Sequence, residues 1–265
     1  MNLFHLNSLV QNLPEFRKIC STLVKKAGRK TALNLPEPAY SIFAASIHDV
    51  LRCPVLFLSA HPEVAKRRYE QMRSWVQDES SIYYFPEIDL LASTMAVDPL
   101  VNSERLRILS LLTSPHAGDN AEQKPPFIIA SALSLASRSI GSSDLMASSL
   151  EINWGFKIKQ SALLEKLQSI GYEYDVVVEV PGTFGKRGGI VDIFPSGREQ
   201  PVRIEFFGDE VDSIREYDSR TQRSLSNLPS VNISPAKELA VAGKANLLVY
   251  LPRETVLILD DILQI

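Results

Sequence analysis

Little in this sequence announces catalytic chemistry. Cysteine occurs only twice, as Cys20 and Cys53. Two distant thiols on apolar stretches offer neither a disulfide framework nor metal-ligand spacing, so each is expected as a buried core residue. The histidines His5, His48, His61 and His116 are scattered without ligand spacing, which points to surface or capping roles instead of metal binding. No apolar run is long enough to span a membrane. The opening MNLFHLNSLVQNLPEFRK lacks the basic start and small-residue cleavage site of a signal peptide, and a soluble, cytoplasmic protein is expected. A basic surplus is missing too: the formal net charge is -3, against the usual signature of a sequence-independent nucleic-acid binder. There is no G-x-S-x-G elbow and no repeat of solenoid type.

What is present is a globular composition. The chain has 265 residues, 45% hydrophobic and 22% charged, enough to bury a core in one large domain or two ordinary ones. The first half alternates helical and strand-like patterns. Helices are expected over Pro14–Ala27, Ala39–Val50, from Pro62 through Ala65, Tyr69, Met72 and Val76, and over Ser103–Leu112. Short apolar runs at Thr31–Leu35, Pro54–Leu58, Ile82–Phe85 and Phe127–Ala130 read as strands. Thr113–Pro126 reads as a surface loop. This order predicts a three-layer α/β unit with a parallel sheet. Small and polar residues around Gly141–Ser149 mark a domain edge, and a helix is expected over Ser161–Ile170. Towards the end, Leu247–Leu251 and Val256–Leu259 read as two strands returning to the first domain.

The most informative stretch runs from Val176 to Leu225. Val176, Val178 and Val180 alternate with Val177 and Glu179 as in a strand. Ile190–Phe194 is apolar except for Asp192. In Val202–Phe207, side chains alternate between faces, which sends Val202, Ile204 and Phe206 to the core and Arg203, Glu205 and Phe207 to the other face. Gly208-Asp209 supplies a hairpin turn and Asp212–Tyr217 the return strand. An outward Phe beside charged residues is either a single exposed apolar side chain or part of a protein-binding patch, where Arg and large aromatics are enriched. The glycines from Gly182 to Gly189 precede a strand and not a helix, so bends or bulges explain them better than a phosphate cradle.

Other candidate sites read as unremarkable. The loop Leu33–Tyr40 lies where a phosphate-binding loop would sit, but Leu35, Pro36, Glu37 and Pro38 supply no glycine and no lysine. The two prolines remove backbone donors, and Glu37 would repel phosphate. Lys66-Arg67-Arg68 reads as a solvated helix face, and the acidic pairs Asp209-Glu210 and Asp260-Asp261 as solvated turn residues.

The run from Gly182 to Pro195, followed by Arg203–Glu210 and by Thr221-Gln222-Arg223-Ser224, closely resembles the bacterial transcription-repair coupling factors (Mfd) and, more weakly, the excision-repair protein UvrB. The resemblance continues loosely through Tyr84-Phe85-Pro86 and Ser103-Glu104-Arg105-Leu106. It implies a degenerate P-loop NTPase-like parallel-sheet domain with an inserted smaller α+β module similar to the second domain of UvrB. The expected division is an ATPase-like domain over 1–148, a UvrA-binding module over 149–232 and a return segment over 233–265. The resemblance makes Arg187, Arg203, Glu205 and Phe207 the UvrA-contacting residues. It implies a non-catalytic docking region of a longer DNA translocase, and no cofactor in this region. ATP and Mg would belong to the motor domains, and RNA polymerase and double-stranded DNA would be engaged by other parts of the whole protein. The UvrB hairpin that clamps DNA would fall after Ile82–Phe85, where no long aromatic-rich insertion appears. The alternative reading is the nucleotide- or DNA-binding domain of an ATP-dependent helicase.

Overall fold

The structure is a computed structural model that describes residues 2–25, 32–88, 98–113, 124–238 and 245–261. The helices, in chain order, are α1 (Asn7–Gln11), α2 (Pro14–Lys25), α3 (Tyr40–Leu51), α4 (Pro62–Arg73), α5 (Pro99–Thr113), α6 (Ala132–Ala136), α7 (Ser142–Ser148) and α8 (Gln160–Ser169). The strands are β1 (Val55–Ser59), β2 (Ile82–Phe85), β3 (Phe127–Ser131), β4 (Leu150–Asn153), β5 (Glu173–Tyr174) and β6 (Thr183–Arg187). They continue with β7 (Ile190–Ile193), β8 (Val202–Phe207), β9 (Glu210–Tyr217), β10 (Ser224–Asn227), β11 (Ser230–Ile233) and β12 (Val256–Asp260). Contacts group the chain into two compact units. The first comprises 1–87, 115–137 and 251–265, and the second 88–114 and 138–250.

The first unit is built on a parallel sheet in the order β12-β1-β3-β2. The two central strands, VLFLS and FIIAS, are buried at every position, as their unbroken apolar sequences require of strands covered on both faces. Their registers align Val55 with Phe127 and with Val256. Helix α4 starts at Pro62, where the missing N–H costs nothing, with Glu63 in its first turn and Arg73 in its last. Its Ala65 and Met72 pack on Phe57 and Ile129. Several sequence expectations change here. Residues 32–36 form no strand, and Leu33 is exposed; the chain turns instead into a short 3-10 helix at Glu37–Ala39. His48 is a core residue whose Nε2 lies 2.6 Å from the Pro125 carbonyl, edge-on to the Phe127 ring. Cys20 is buried and Cys53 half-buried, both free. His116 and most of the expected 113–126 loop fall outside the described residues, as do 89–97 after β2.

The second unit is organised on a six-stranded sheet, order β10-β9-β8-β7-β6-β5, antiparallel except for the parallel β5–β6 pair. One face carries Phe184, Val191, Ile193, Val202, Ile204, Val211 and Ile214. They pack on Leu163 and Leu167 of α8 and on Ile152, Val231 and Ile233 of the antiparallel β4–β11 ribbon. The β8–β9 hairpin closes through Gly208 at φ +65°, the left-handed first position that a tight two-residue turn requires. Helix α5 belongs to this unit: Asn102 bonds to the Ala236 carbonyl, and Arg105 pairs with Glu238, both wholly buried. Within the segment Gly141–Ser149, where a domain edge is expected, residues Ser142–Ser148 form α7, anchored by buried Leu145. Leu247–Tyr250, expected as a strand, is a 3-10 helix held by the Tyr250 hydroxyl donating to the Ile140 carbonyl. Val256–Asp260 is the strand the apolar pattern predicts.

Candidate protein-docking face

Residues directly opposite each other on paired strands share a face of the sheet. The β7–β8–β9 ladders place Asp192 opposite Arg203 and Arg203 opposite Arg215. The next row of the same face runs Arg187, Ile190, Glu205, Ser213. Beyond it Phe207 pairs with Glu210, which is bridged in turn to Lys157. A register shift after Glu205 leaves Asp212 as an extra residue in β9, and the alternation in β8 survives it: Val202 and Ile204 are fully buried, while Phe207 is 84% exposed. Arg187, Arg203, Glu205 and Phe207, the set that the family resemblance implies, thus lie in adjacent rows of one sheet face.

The four differ in how they are held. Arg203 donates from Nε to Asp192 Oδ1 (2.7 Å) and from Nη2 to Asp192 Oδ2 (2.9 Å), a bidentate pair, and Nη2 also reaches Gln222 Oε1 (3.1 Å). Its guanidinium lies over the Tyr217 ring, 4.6 Å from the centroid. The hydrogen bonds that Arg203 donates to Asp192 raise the Arg203 pKa above its ordinary value. Burial, and then Asp192, raises that of the Tyr217 phenol. Glu205 accepts from Arg215 and from the Ser213 hydroxyl (2.9 Å). Arg187 is exposed and donates from Nη2 to the Val176 carbonyl (3.0 Å). Phe207 lies largely in solvent. The partners Asp192, Tyr217 and Arg215 were not singled out by sequence reasoning. A signal for Asp192 was present, because it is the one polar residue in an apolar run.

The expected strand at Val176–Val180 is absent, and only Val178 of its valines is buried. Strands β5 and β6 pair in parallel, so the chain between them must leave the sheet and cross over. Residues 175–182 make that crossing. A Cβ on Gly185 would lie 2.7 Å from the Asp175 carbonyl oxygen and 3.2 Å from Val178 Cγ2. Gly185 is therefore a glycine of close approach, whereas Gly188, at φ +59°, serves the β6–β7 turn.

In the first unit, the carboxyl ends of β1 and β12 lie where open parallel sheets bind ligands. Arg68 there is buried, not solvated. Its Nε donates to Asp260 Oδ2 (3.0 Å), its Nη1 to Gln71 (3.1 Å) and its Nη2 to Glu37 (3.1 Å), and its guanidinium sits over the Tyr40 ring. Asp260, expected as a solvated turn acid, is buried and also accepts from Ser59 (3.2 Å). Both corrections have one cause: α4 and β12 pack where the helix face and the strand end meet, and a buried charge requires a partner. Glu37 of the Leu35-Pro36-Glu37-Pro38 loop is thereby tied to a protein cation. Among the described residues no cluster of His, Cys, Asp or Glu is arranged to hold a metal ion, and no helix is long and apolar enough to cross a membrane.

Residues 150–239 match the family described as the UvrB interaction domain. The chain is also similar to the transcription-repair-coupling factor of Bacillus subtilis, 30% identical over 238 residues, which are 89% of this chain and 20% of that protein. It is 35% identical to that of Staphylococcus epidermidis over 63% of this chain and 14% of the relative. With that of Myxococcus xanthus it shares 27% identity over 76% of this chain and 17% of the relative. Residues 150–239 are thus similar to the UvrB interaction domain, the chain is similar to the transcription-repair-coupling factors, and it spans about a fifth or less of the length of those proteins.

Proposed function

We propose that this region is a non-catalytic docking module that recruits UvrA within a transcription-coupled DNA repair factor. The observation that carries the reading is the coincidence of the UvrB interaction domain match with a sheet face that joins an 84% exposed Phe207 to Arg187, Arg203 and Glu205. Exposed aromatics flanked by arginine are the residue types on which protein interfaces concentrate their energy. Phe207 would enter an apolar pocket of the partner. Arg187 and the open edge of Arg203 would meet acidic groups, and Glu205 a basic one. The parallel-sheet unit is read as a degenerate P-loop NTPase-like domain, with Arg68 and Glu37 joined where a phosphate loop would work. In the longer relatives, engagement of RNA polymerase and DNA would fall to regions outside this match. Calorimetric titration with UvrA tests the docking reading. Phe207→Ala should weaken binding by about 2 kcal/mol or more with an unchanged thermal melt, and wild-type affinity in that variant would overturn the assignment.

A further inference from the structure

We infer that Asp192 and Tyr217 are positioning residues of the docking face, holding the Arg203 guanidinium so that its Nη1 edge is presented to a carboxylate of the partner beside the pocket for Phe207. The inference rests on the docking reading above. Three groups fix the guanidinium. The Asp192 carboxylate takes the Nε–Nη2 edge in a bidentate pair, and that geometry specifies orientation as well as charge. The Tyr217 ring covers one face at 4.6 Å. Gln222 Oε1 takes a further Nη2 proton at 3.1 Å. Gln222 reaches that place from a left-handed backbone (φ +59°), in a turn closed by its N–H on the Asp218 carbonyl and its Nε2 on the Ser219 carbonyl. What remains is Nη1, which has no acceptor among the described residues.

Exposure separates the roles. The Arg203 side chain is only 18% exposed, so a partner meets one edge and not a mobile chain. Asp192 and Tyr217 are 6% and 1% exposed; they are sealed from a partner and act on it only through Arg203. The Tyr217 hydroxyl has no hydrogen-bond partner among the described residues, so the ring, and not the phenol, is the part in use. The ordering of a long side chain is then met in folding and not in binding, which is the source of affinity in preorganised interfaces.

A double-mutant cycle distinguishes positioning from general structural support. Binding of UvrA to the intact chain is measured by calorimetry for Asp192→Asn, Arg203→Ala and the double variant. Arg203→Ala is expected to weaken binding about 30-fold. Asp192→Asn is expected to weaken it about tenfold in the presence of Arg203 and not at all in the Arg203→Ala background. Tyr217→Phe should bind as wild type and Tyr217→Leu more weakly. Gln222→Gly keeps the left-handed backbone while removing the side chain, and reads the same cycle should Asp192→Asn fail to fold. Equal losses in both backgrounds would make the clamp merely structural and overturn this inference while leaving the docking reading intact. Wild-type affinity in Arg203→Ala would instead remove Arg203 from the docking face, and the inference with it.

Discussion

Phe207 and His48 carry opposite lessons about single side chains. Phe207 lies almost wholly in solvent, so its removal deletes no core contact, and substitution at such a site changes stability by no more than about 0.5 kcal/mol. Its cost is expected to fall on binding alone. His48 is sealed in the first unit, and burial lowers its pKa below the ordinary value of 6.5. The unfolded chain takes up this proton near that ordinary value, while the folded chain resists it. The stability His48 contributes is therefore complete above about pH 6.5 and is lost as the pH falls through the lower folded value. Urea midpoints at about pH 7.5 and pH 5.5 should show a drop in the wild type that is smaller in His48→Gln, which stays neutral and keeps a donor for the Pro125 carbonyl.

At the scale of elements, the crossing segment 175–182 and strand β6 fit together through an absence. Gly185 leaves the space that the Asp175 carbonyl and the Val178 side chain occupy. Gly185→Ala must push backbone, not a flexible side-chain tip, and overpacking of this kind costs about 1–3 kcal/mol. A denaturant titration should show that loss. The fluorescence of a probe attached at the exposed Val177 should report release of the crossing segment. Wild-type stability in Gly185→Ala would mean that the segment is not seated on β6. This is also one of the elements that sequence periodicity misread. The alternation VVVEV is a good strand pattern, yet local preference yields where a short connection must carry the chain between two parallel strands.

At the scale of the whole molecule, the second unit reaches beyond the stretch that matches the UvrB interaction domain. Glu238 lies within the match at 150–239, and its partner Arg105 lies outside it on α5. Both side chains are fully buried, and Arg105 also donates to Ser139 Oγ at 2.9 Å. Removing one partner strands a charge in the interior, which costs about 3–5 kcal/mol. Arg105→Met is expected to lower the stability of this unit by that order in a chemical melt. Glu238→Leu added to it should recover part of the loss, since two apolar groups of similar volume leave no unpaired charge. No recovery would show that Arg105 matters through its other bonds.

Much of this architecture was legible from residues alone, for local reasons. Unbroken apolar runs of strand length such as PVLFL and FIIA suit strands covered on both faces, and the period-two pattern of Val202–Phe207 already separates a core face from an outward one. Proline at the start of α4 and glycine in the β8–β9 turn mark ends that backbone geometry demands. The sequence by itself determined which side chains of β8 look outward and, through its motifs, the family they resemble. Tertiary structure decided which of them are free to act. Arg68 and Asp260 read as solvated until α4 and β12 bring them together. Arg203 reads only as an outward residue of its strand until β7 sets Asp192 directly opposite it. The reason is physical: a pattern of residues encodes direction relative to its own strand or helix, whereas burial and charge pairing depend on groups contributed by segments far away in the chain.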